Sequence, residues 1–249
     1  MSGHNKWSKV KNFKGALDAK RGKLFTKLTK EIIVASQIGG GNPDGNARLR
    51  QAIVAARSAS MPKENIERAI KRGTGELASE RIEEMLYEGY GPQGVAVIVT
   101  AATDNRNRTV SDLRNLFKSH GGALGESGSV SWMFQPWGQL LFSASQYPEE
   151  ALMNVALEAG ASDIQTQDDH VVILCAPQEI GPVRAAFERA KMLARESKTI
   201  YTPKSTVPVT SEDVGKQLFR LLEAIEDHDD VQQVYSNFEM EDALFQKLS

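Results

Sequence analysis

The chain has 249 residues, 41% of them hydrophobic and 25% charged, which suits a folded protein of two or three domains and excludes a long disordered tract. No run of eighteen apolar residues occurs, the first residues lack the apolar core of a secretory signal, and Cys175 is the only cysteine. We therefore expect a cytoplasmic protein with no membrane partner, no intrachain disulfide and no thiolate metal site.

The charge is unevenly distributed along the chain. Residues 1–75 hold sixteen basic and five acidic side chains, a net charge of +11, so the remainder must carry −13 to reach the total of −2. Because a surface of one sign repels itself and attracts the opposite charge, this asymmetry predicts a polyanion-binding module in the first third of the chain. The alternative is a solvated helical surface whose basic residues only keep the domain soluble.

An extended basic arm begins the chain with the segment GHNKWSKVKNFK, in which aromatic residues are interleaved with lysines. Lysine ammonium groups neutralise phosphates, and an exposed aromatic ring can stack on an unpaired base. The alternative for Trp7 is that its ring packs against its own domain. The candidate nucleic-acid-binding residues of the arm are Lys6, Trp7, Lys9, Lys11 and Lys14.

The first predicted helix starts near Lys20, and its apolar residues recur at the helical period from Leu24 to Ala35, which indicates a side that faces the core. Four lysines fall within an arc of about 80° on a different side of this helix. We predict that they contact phosphates together with the adjacent Arg21, and we call them the lysine stripe: Lys20, Lys23, Lys27 and Lys30.

Glycines 39 to 41 should end this helix, and Asn46 or Asp44 is predicted to cap the next one, NARLRQAIVAARSAS. The glycine run does not match a phosphate-binding P-loop, because it follows a helix and lacks the Lys-Ser/Thr end. A helix-breaking turn is therefore the first interpretation. Arg48 and Arg50 beside the turn remain candidates for phosphate contact.

A third helix, MPKENIERAIKRG, is predicted with Pro62 in its first turn and Gly73 just beyond its end, and it completes an all-α domain over residues 1–78. After GYGPQG the hydrophobic pattern becomes strand-like. The predicted elements there are a strand at GVAVIVTA, a helix at NRTVSDLRNLFKSHGG with Thr109 and Asp112 as a capping box, and a strand at SVSWMF.

Residues 137–203 are predicted to form a complete βαββαβ unit of the ferredoxin-like type. The last strand, helix and strand of the chain lack partners in sequence, as do the elements of 94–135, so we predict that these two halves close one sheet. The predicted fold is an α+β multidomain protein with an N-terminal all-α helical domain and two ferredoxin-like α+β domains, one inserted into the other. The domain boundaries are 1–78, 79–136 with 204–249, and 137–203.

The polar loop TDNRNRT follows the strand GVAVIVTA, at a position where loop residues often serve function. A capped turn explains Asn107 and Thr109 but not Arg106 and Arg108, which we predict as further phosphate contacts. The acidic run EAIEDHDD is typical of a solvated helix end, although its acids from Asp227 to Asp230 could attract a basic partner or a metal.

No constellation of catalytic residues assembles in the sequence. Its four histidines lie in separate predicted elements without metal-ligand spacing, and neither a GxSxG motif nor a dinucleotide fingerprint occurs. We predict no enzyme activity, no cofactor and no bound metal. A metal-dependent nuclease built on Asp104 is the remote alternative.

Seven segments together resemble the YebC family: GHNKWSKVK, DAKRGKLFTKL, GGGNPDGNARLR, MPKENIERAIKRGTG, YEGYGPQGVAVI, DNRNRTVSDLR and GGALGESGSVSWMF. The resemblance spans nearly the whole chain and thins after residue 140. It implies a cytoplasmic, DNA-binding transcriptional regulator like the PmpR-type members, whereas mitochondrial relatives activate translation and other bacterial members are linked to ribosomes and to relief of stalled synthesis. It also implies a helical N-terminal domain and two α+β domains, one inserted into the other.

Residues and resemblance together predict a non-enzymatic, nucleic-acid-binding regulator of gene expression, namely a DNA-binding transcriptional regulator that uses its basic N-terminal domain. The alternative is a ribosome- or RNA-associated translation factor that activates or unstalls protein synthesis, since cations reach the phosphates of DNA and RNA alike and an aromatic residue on an extended arm favours RNA. The expected partner is DNA, or ribosomal RNA in the alternative, with the ribosome or a basic protein as a further partner of the acidic domains.

Overall fold

The computed structural model of the chain describes residues 17–78, 80–167 and 169–248, with side chains from residue 21 onward. The predicted basic arm lies outside the described residues, and so does the side chain of Lys20. Two compact units are formed, one by the chain up to Phe134 together with the chain from Pro203 on, and one by Gln135–Thr202. The prediction of an α+β multidomain protein with an N-terminal helical region is confirmed.

The N-terminal helical region consists of α1 (Leu17–Gly39), α2 (Ala47–Ser58) and α3 (Lys63–Thr74). As predicted, α1 ends in the glycine run, where Gly40 has a φ of 80°, and the side chain of Asn46 caps α2 by accepting the Leu49 N–H at 3.1 Å. The third helix runs past the predicted stop at Gly73 and ends at Gly75, which adopts the left-handed conformation with a φ of 82°.

Close packing of α1 against α3 explains Gly73. A Cβ atom there would lie 2.5 Å from the Ser36 Cβ and 2.6 Å from the Ile33 carbonyl oxygen, so a side chain would push the two helices apart. The helical region has its own apolar core, to which all three helices contribute Ile32, Ile33, Leu49, Ile53, Ala56, Ile66 and Ala69.

The rest of the first unit is built on a four-stranded antiparallel sheet in the order β3-β1-β2-β9. Its elements are β1 (Glu83–Tyr90), β2 (Ala96–Thr103), α4 (Arg106–Ser119), β3 (Ala123–Leu124), α7 (Glu212–Glu226), β9 (Val231–Ser236) and α8 (Asp242–Leu248). Two very short strands, β8 (Val207–Pro208) and β10 (Phe238–Glu239), pair in parallel in a separate sheet. Of the two strands predicted for the last part of the chain, the first therefore does not join the four-stranded sheet, whereas the second does, as β9. Because β9 pairs with β2, chain segments from both sides of the second unit share one sheet.

The core of this sheet is formed by one face of β2 and the apolar sides of α4 and α7. Val97 and Val99 of the strand are fully buried together with Phe117 of α4 and Leu218 and Leu222 of α7. Alternate residues of the strand share a face, so this face of β2 is covered by the two helices. The loop that joins β2 to α4 and the turn that joins α7 to β9 are therefore held at fixed positions by the same core.

One strand of this sheet was not predicted, and two predictions about the elements around it are wrong. The sequence pattern missed β1, and SVSWMF is no strand, because Ser131–Met133 form a 3-10 turn and the next strand begins only at Phe134. Helix α4 has no capping box. Its N-cap is Asn105, whose side chain accepts the Arg108 N–H at 3.0 Å, whereas Thr109 is fully buried.

The second unit follows the chain order β4 (Phe134–Ser143), α5 (Glu149–Glu158), β5 (Asp163–Gln167), β6 (His170–Cys175), α6 (Ile180–Arg189) and β7 (Glu196–Pro203). Its strands are arranged β5-β6-β4-β7, with β6 antiparallel to both β4 and β5. Phe142 and Phe187 pack in its core with ring centroids 4.6 Å apart. Cys175 is buried in the same core, and that burial raises the pKa of its thiol.

No helix in the described part of the chain combines the length and the apolar character needed to cross a membrane.

Candidate nucleic-acid interface

Three lysines of the stripe, Lys23, Lys27 and Lys30, contact the turn between α7 and β9, residues 226–230, which we call the acidic turn. The Lys23 ammonium lies 2.9 Å from the Asp227 carboxylate, and the Lys27 ammonium donates to the Glu226 carbonyl oxygen at 2.7 Å. The acidic run was predicted to attract a basic partner. In the structure, α1 of the same chain supplies basic side chains that contact it.

Asp230 is the centre of this contact and is only 2% exposed. One carboxylate oxygen contacts the Lys30 ammonium, and the other accepts the Thr109 hydroxyl at 2.7 Å and the Arg108 guanidinium at 3.1 Å. Burial alone would raise the pKa of Asp230, but these charged and neutral donors outweigh it and lower the pKa to about 2. The ionised carboxylate is therefore a structural element that joins α1, α4 and β9.

The lysines of the stripe differ in how available they are to a ligand. The Lys30 side chain is 14% exposed and its carboxylate partner 3%, whereas the Lys23 side chain is 41% exposed and that of Asp227 54%. An exposed ion pair contributes little and is screened by salt, so a phosphate can replace Asp227 beside Lys23. The same exchange at Lys30 would leave Asp230 buried without its closest cation, which is strongly unfavourable.

The groove beside the acidic turn has a volume of about 580 Å³ but mixed charge. Three cations and His228 line it together with four aspartates, and His228 itself is 3.2 Å from the Asp112 carboxylate. A polyanion entering this groove would meet four aspartates and only three Lys or Arg side chains, so the groove does not suit one. Among the described residues, no three His, Cys, Asp or Glu side chains are placed to hold a metal ion.

Arg48 and Arg50, the candidates beside the glycine run, are engaged within the protein. The Arg48 guanidinium bridges Glu31 of α1, at 2.7 and 2.9 Å, and Glu84 of β1, at 2.6 and 3.1 Å. Burial lowers the pKa of Arg48, but its bonds to both carboxylates raise it further above its ordinary value. The Arg50 guanidinium donates to the Pro43 carbonyl oxygen at 2.9 Å and so supports the turn.

Arg106 and Arg108, the candidates in the loop after β2, also face carboxylates. Arg106 pairs with Glu83 of β1. Arg108 contacts both Asp104, at 2.7 Å, and Asp230, and these hydrogen bonds raise the pKa of Arg108. Asp104, the predicted anchor of a nuclease metal, is therefore one half of an ion pair.

Sequence reasoning left out a group of exposed cations on α3. Arg68, Lys71 and Arg72, which we call the α3 cations, fall within an arc of about 100° opposite the buried Ile66 and Ala69. The helical period of IERAIKR contained this signal, but the density of lysines before residue 31 drew the prediction to α1. A small cleft of about 130 Å³ beside the α3 cations is lined by Thr29, Asn65, Arg68, Ala69 and Arg72.

Among the described residues, Arg68 and Lys71 have no carboxylate partner, whereas Lys23 and Lys30 of the stripe each have one. The two acids of the helix, Glu64 and Glu67, precede them, and Glu67 lies 3.5 Å from Lys63. Glu64 and Glu67 lie four residues before Arg68 and Lys71, so they reduce the mutual repulsion of these cations without pairing with them.

Comparison with known proteins gives consistent results over nearly the whole chain. The family model described as "TACO1/YebC protein N-terminal domain" matches residues 5–76, and "TACO1/YebC second and third domain" matches 82–238. Proteins named "Probable transcriptional regulatory protein" are 54% identical in Desulfotalea psychrophila, over all of both chains, and 53% identical in Thermotoga maritima, over 97% of this chain and 95% of the other. The crystal structure of a conserved hypothetical protein, Aq1575 of Aquifex aeolicus, is 48% identical with a TM-score of 0.77, covering 91% of this chain and 93% of the other.

Proposed function

The chain belongs to the TACO1/YebC family, and from this membership we propose that it is a non-enzymatic regulator of gene expression that binds nucleic acid in the cytoplasm. Its first role in this proposal is DNA-binding transcriptional regulation, in keeping with the names of its relatives. The observation that supports the proposal is the exposed pair Arg68 and Lys71 on α3, because these side chains offer a polyanion positive charge that no carboxylate of the described residues pairs with.

The proposed interface is smaller than the set of residues that the sequence suggested. It comprises the basic arm with Lys6, Trp7, Lys9, Lys11 and Lys14, the first turns of α1 with Lys20, Arg21 and Lys23, and the α3 cations. Six other predicted residues bond within the protein, and we assign them to holding the fold: Lys27, Lys30, Arg48, Arg50, Arg106 and Arg108.

The second candidate is a ribosome- or RNA-associated translation factor. It is favoured by the indole of Trp132, which is 67% exposed, since RNA recognition relies on unpaired bases that stack on aromatic side chains. Duplex DNA in contrast presents its phosphates and groove edges and keeps its bases stacked.

We also infer that the second unit is a ferredoxin-like domain inserted into the domain formed by 79–136 and 204–249. Its βαββαβ order and the strand arrangement β5-β6-β4-β7 support this. The insertion leaves the helical region and the sheet beside it in one unit, so a ligand on the helical region can be contacted by loops of that sheet as well.

Binding experiments with three ligands test the proposal. The full chain is titrated with duplex promoter fragments, single-stranded RNA and salt-washed ribosomes at several salt concentrations, and we expect binding to at least one ligand with an affinity that falls as salt rises. Sequence-selective duplex binding supports transcriptional regulation, and retention on ribosomes without it supports the translation factor. Absence of salt-dependent binding to all three would overturn the proposal.

A further inference from the structure

A buried carboxylate shapes the loop before β4. Glu88 of β1 is 3% exposed, and its two oxygens accept the N–H groups of Gly128, Val130 and Ser131, each at 2.7 Å. Burial acts to raise the pKa of Glu88, but the three backbone donors outweigh it and lower the pKa. The N–H groups of Val130 and Ser131 would bond to a neighbouring strand if SVSWMF were a strand. They bond to the Glu88 carboxylate instead.

Further bonds fix the same loop. The Tyr90 hydroxyl donates to the Ser129 carbonyl oxygen at 2.8 Å, and Val130 is completely buried. Gly128 has a φ of 87°, a conformation that favours glycine. A loop held by a buried charge, a buried side chain and a left-handed glycine occupies one conformation rather than many.

This rigid loop carries an aromatic ring in solvent. The indole of Trp132 is 67% exposed, and its N–H donates to the Ser129 carbonyl oxygen at 3.1 Å, which restrains the orientation of the ring. The Lys204 ammonium donates to the Trp132 carbonyl oxygen at 3.2 Å, so a cation is bonded to the backbone of the residue that carries the ring. Trp132 contributes little to the core, and its restrained position therefore points to a ligand.

We propose that Trp132 is a stacking platform for an unpaired nucleobase, with Lys204 positioned for the adjoining phosphate. This inference rests on the proposed binding of nucleic acid and adds a second contact point in the loop before β4. A restrained ring loses little entropy on binding, and every base offers a π-face to stack on it.

The surroundings of the ring favour a base over a protein side chain. Protein interfaces place aromatic anchors within an apolar, water-excluding patch. Trp132 lies between Ser131 and Met133, which are half-buried, and the exposed residues of the same loop are Glu126, Ser127 and Gly128. No large exposed apolar side chain adjoins Trp132 in sequence, and Lys204 is bonded to its carbonyl oxygen, which suits a base with its phosphate better than a protein side chain.

The test compares Trp132→Ala with Trp132→Phe in the full chain, using single-stranded RNA, single-stranded DNA and duplex DNA of one sequence. We expect Trp132→Ala to weaken single-strand binding about tenfold, Trp132→Phe to restore most of it, and duplex binding to change little. The salt slope of binding should stay constant, because no phosphate contact is removed. RNA and DNA strands distinguish the two sources of the base.

Two further readouts separate the possible results. Quenching of tryptophan fluorescence by the single strand should shrink in Trp132→Phe, although Trp7 and Trp137 still emit, and thermal stability should be unchanged in both variants because the ring is exposed. If wild type binds single strands and Trp132→Ala binds them equally well, the stacking platform is wrong while the proposed function stands. If wild type binds no nucleic acid, both are wrong.

Discussion

The lysine stripe of α1 and the α3 cations belong to the same helical region and have similar charge, but they face different surroundings. The described lysines of the stripe bond to the acidic turn, whereas Arg68 and Lys71 have no carboxylate partner within the described ranges. The comparison shows that a dense run of cations in sequence can be an intramolecular docking surface. A sparser set at helical spacing can be the surface left for a ligand.

This difference also explains the charge asymmetry of the chain. Some of the positive charge of the first 75 residues is compensated by the acidic turn near the other end of the sequence, where Asp230 lies 200 residues from Lys30. A polyanion therefore competes with the protein's own carboxylates at α1 and has no such competitor at Arg68 and Lys71. Electrostatic steering by the helical region should depend mainly on the arm and the α3 cations.

The largest effect is expected for Lys30→Gln, which removes the closest cation from a buried carboxylate. We expect the free energy of unfolding to fall by about 3 kcal/mol, because Asp230 stays buried with a weaker set of donors. Urea denaturation of the full chain measures this loss. A change below about 1 kcal/mol would show that α1 is not held by this pair, and the distinction between the two basic surfaces would then fail.

A somewhat smaller effect is expected from acid. The pKa of Asp230 is about 2 in the folded protein against an ordinary value of 3.8, so the carboxylate stabilises the fold above about pH 4, and this contribution disappears as the pH falls toward about 2. The shift corresponds to about 2 kcal/mol. Urea denaturation at pH 5, 4 and 3 should show a flatter profile for Asp230→Asn than for wild type.

Glu88→Gln is the matched control for the acid profile. Glu88 is also buried, and its pKa is also lowered. Its ionised carboxylate should therefore stabilise the fold above the ordinary pKa of a glutamate and lose this effect as the pH falls. In Glu88→Gln, the part of the pH dependence of stability that comes from Asp230 should remain. Identical profiles for wild type and Asp230→Asn would contradict the prediction.

Much of the fold could be predicted from the sequence because most elements obey the expected periods. The three N-terminal helices, the strand β2, the helix α7 and the βαββαβ order of the second unit all follow from hydrophobic repeats and from glycine and proline positions. The strand β1 could not, because Glu83, Glu84 and Glu88 interrupt its apolar pattern. Glu88 is buried only because three backbone N–H groups from another loop reach it.

For the candidate site, the sequence predicts on which side of a helix each residue lies but not what that residue contacts. The helical period does place the stripe lysines on one side of α1, but nothing local indicates that the acidic turn will meet them. Contacts such as Lys30 with Asp230 and Arg48 with Glu84 join residues distant in the chain. The α3 cations, in contrast, needed only the angle between successive residues on a helix.

An intermediate effect is expected for the double variant Arg68→Gln, Lys71→Gln. It should weaken binding of the preferred nucleic acid about tenfold and reduce the salt slope by about two, because each lost phosphate contact removes close to one released counterion. Stability should stay within about 0.5 kcal/mol of wild type, since these are exposed surface positions. Fluorescence anisotropy at several salt concentrations provides the slope.

Lys63→Gln is the matched control on the same helix. Lys63 is 83% exposed and lies 3.5 Å from Glu67, at the opposite end of α3 from the α3 cations. It should change neither affinity nor slope to a comparable degree. Equal losses in the control and the double variant would mean that only the net charge of the domain matters, and that α3 contains no defined contact surface.

The smallest effect is expected for Lys23→Gln, which makes the same chemical change as Lys30→Gln on the same helix. Its ion pair with Asp227 is exposed on both sides, so the free energy of unfolding should fall by less than about 0.5 kcal/mol in urea denaturation at physiological salt. Removing Lys23 should still lower the salt slope of nucleic-acid binding by up to about one, because its ammonium is available for a phosphate. A loss of stability comparable to that of Lys30→Gln would place Lys23 with the residues that hold the fold. Lys23 would then belong to the same docking surface as Lys27 and Lys30, and the proposed interface on α1 would be reduced to Lys20 and Arg21.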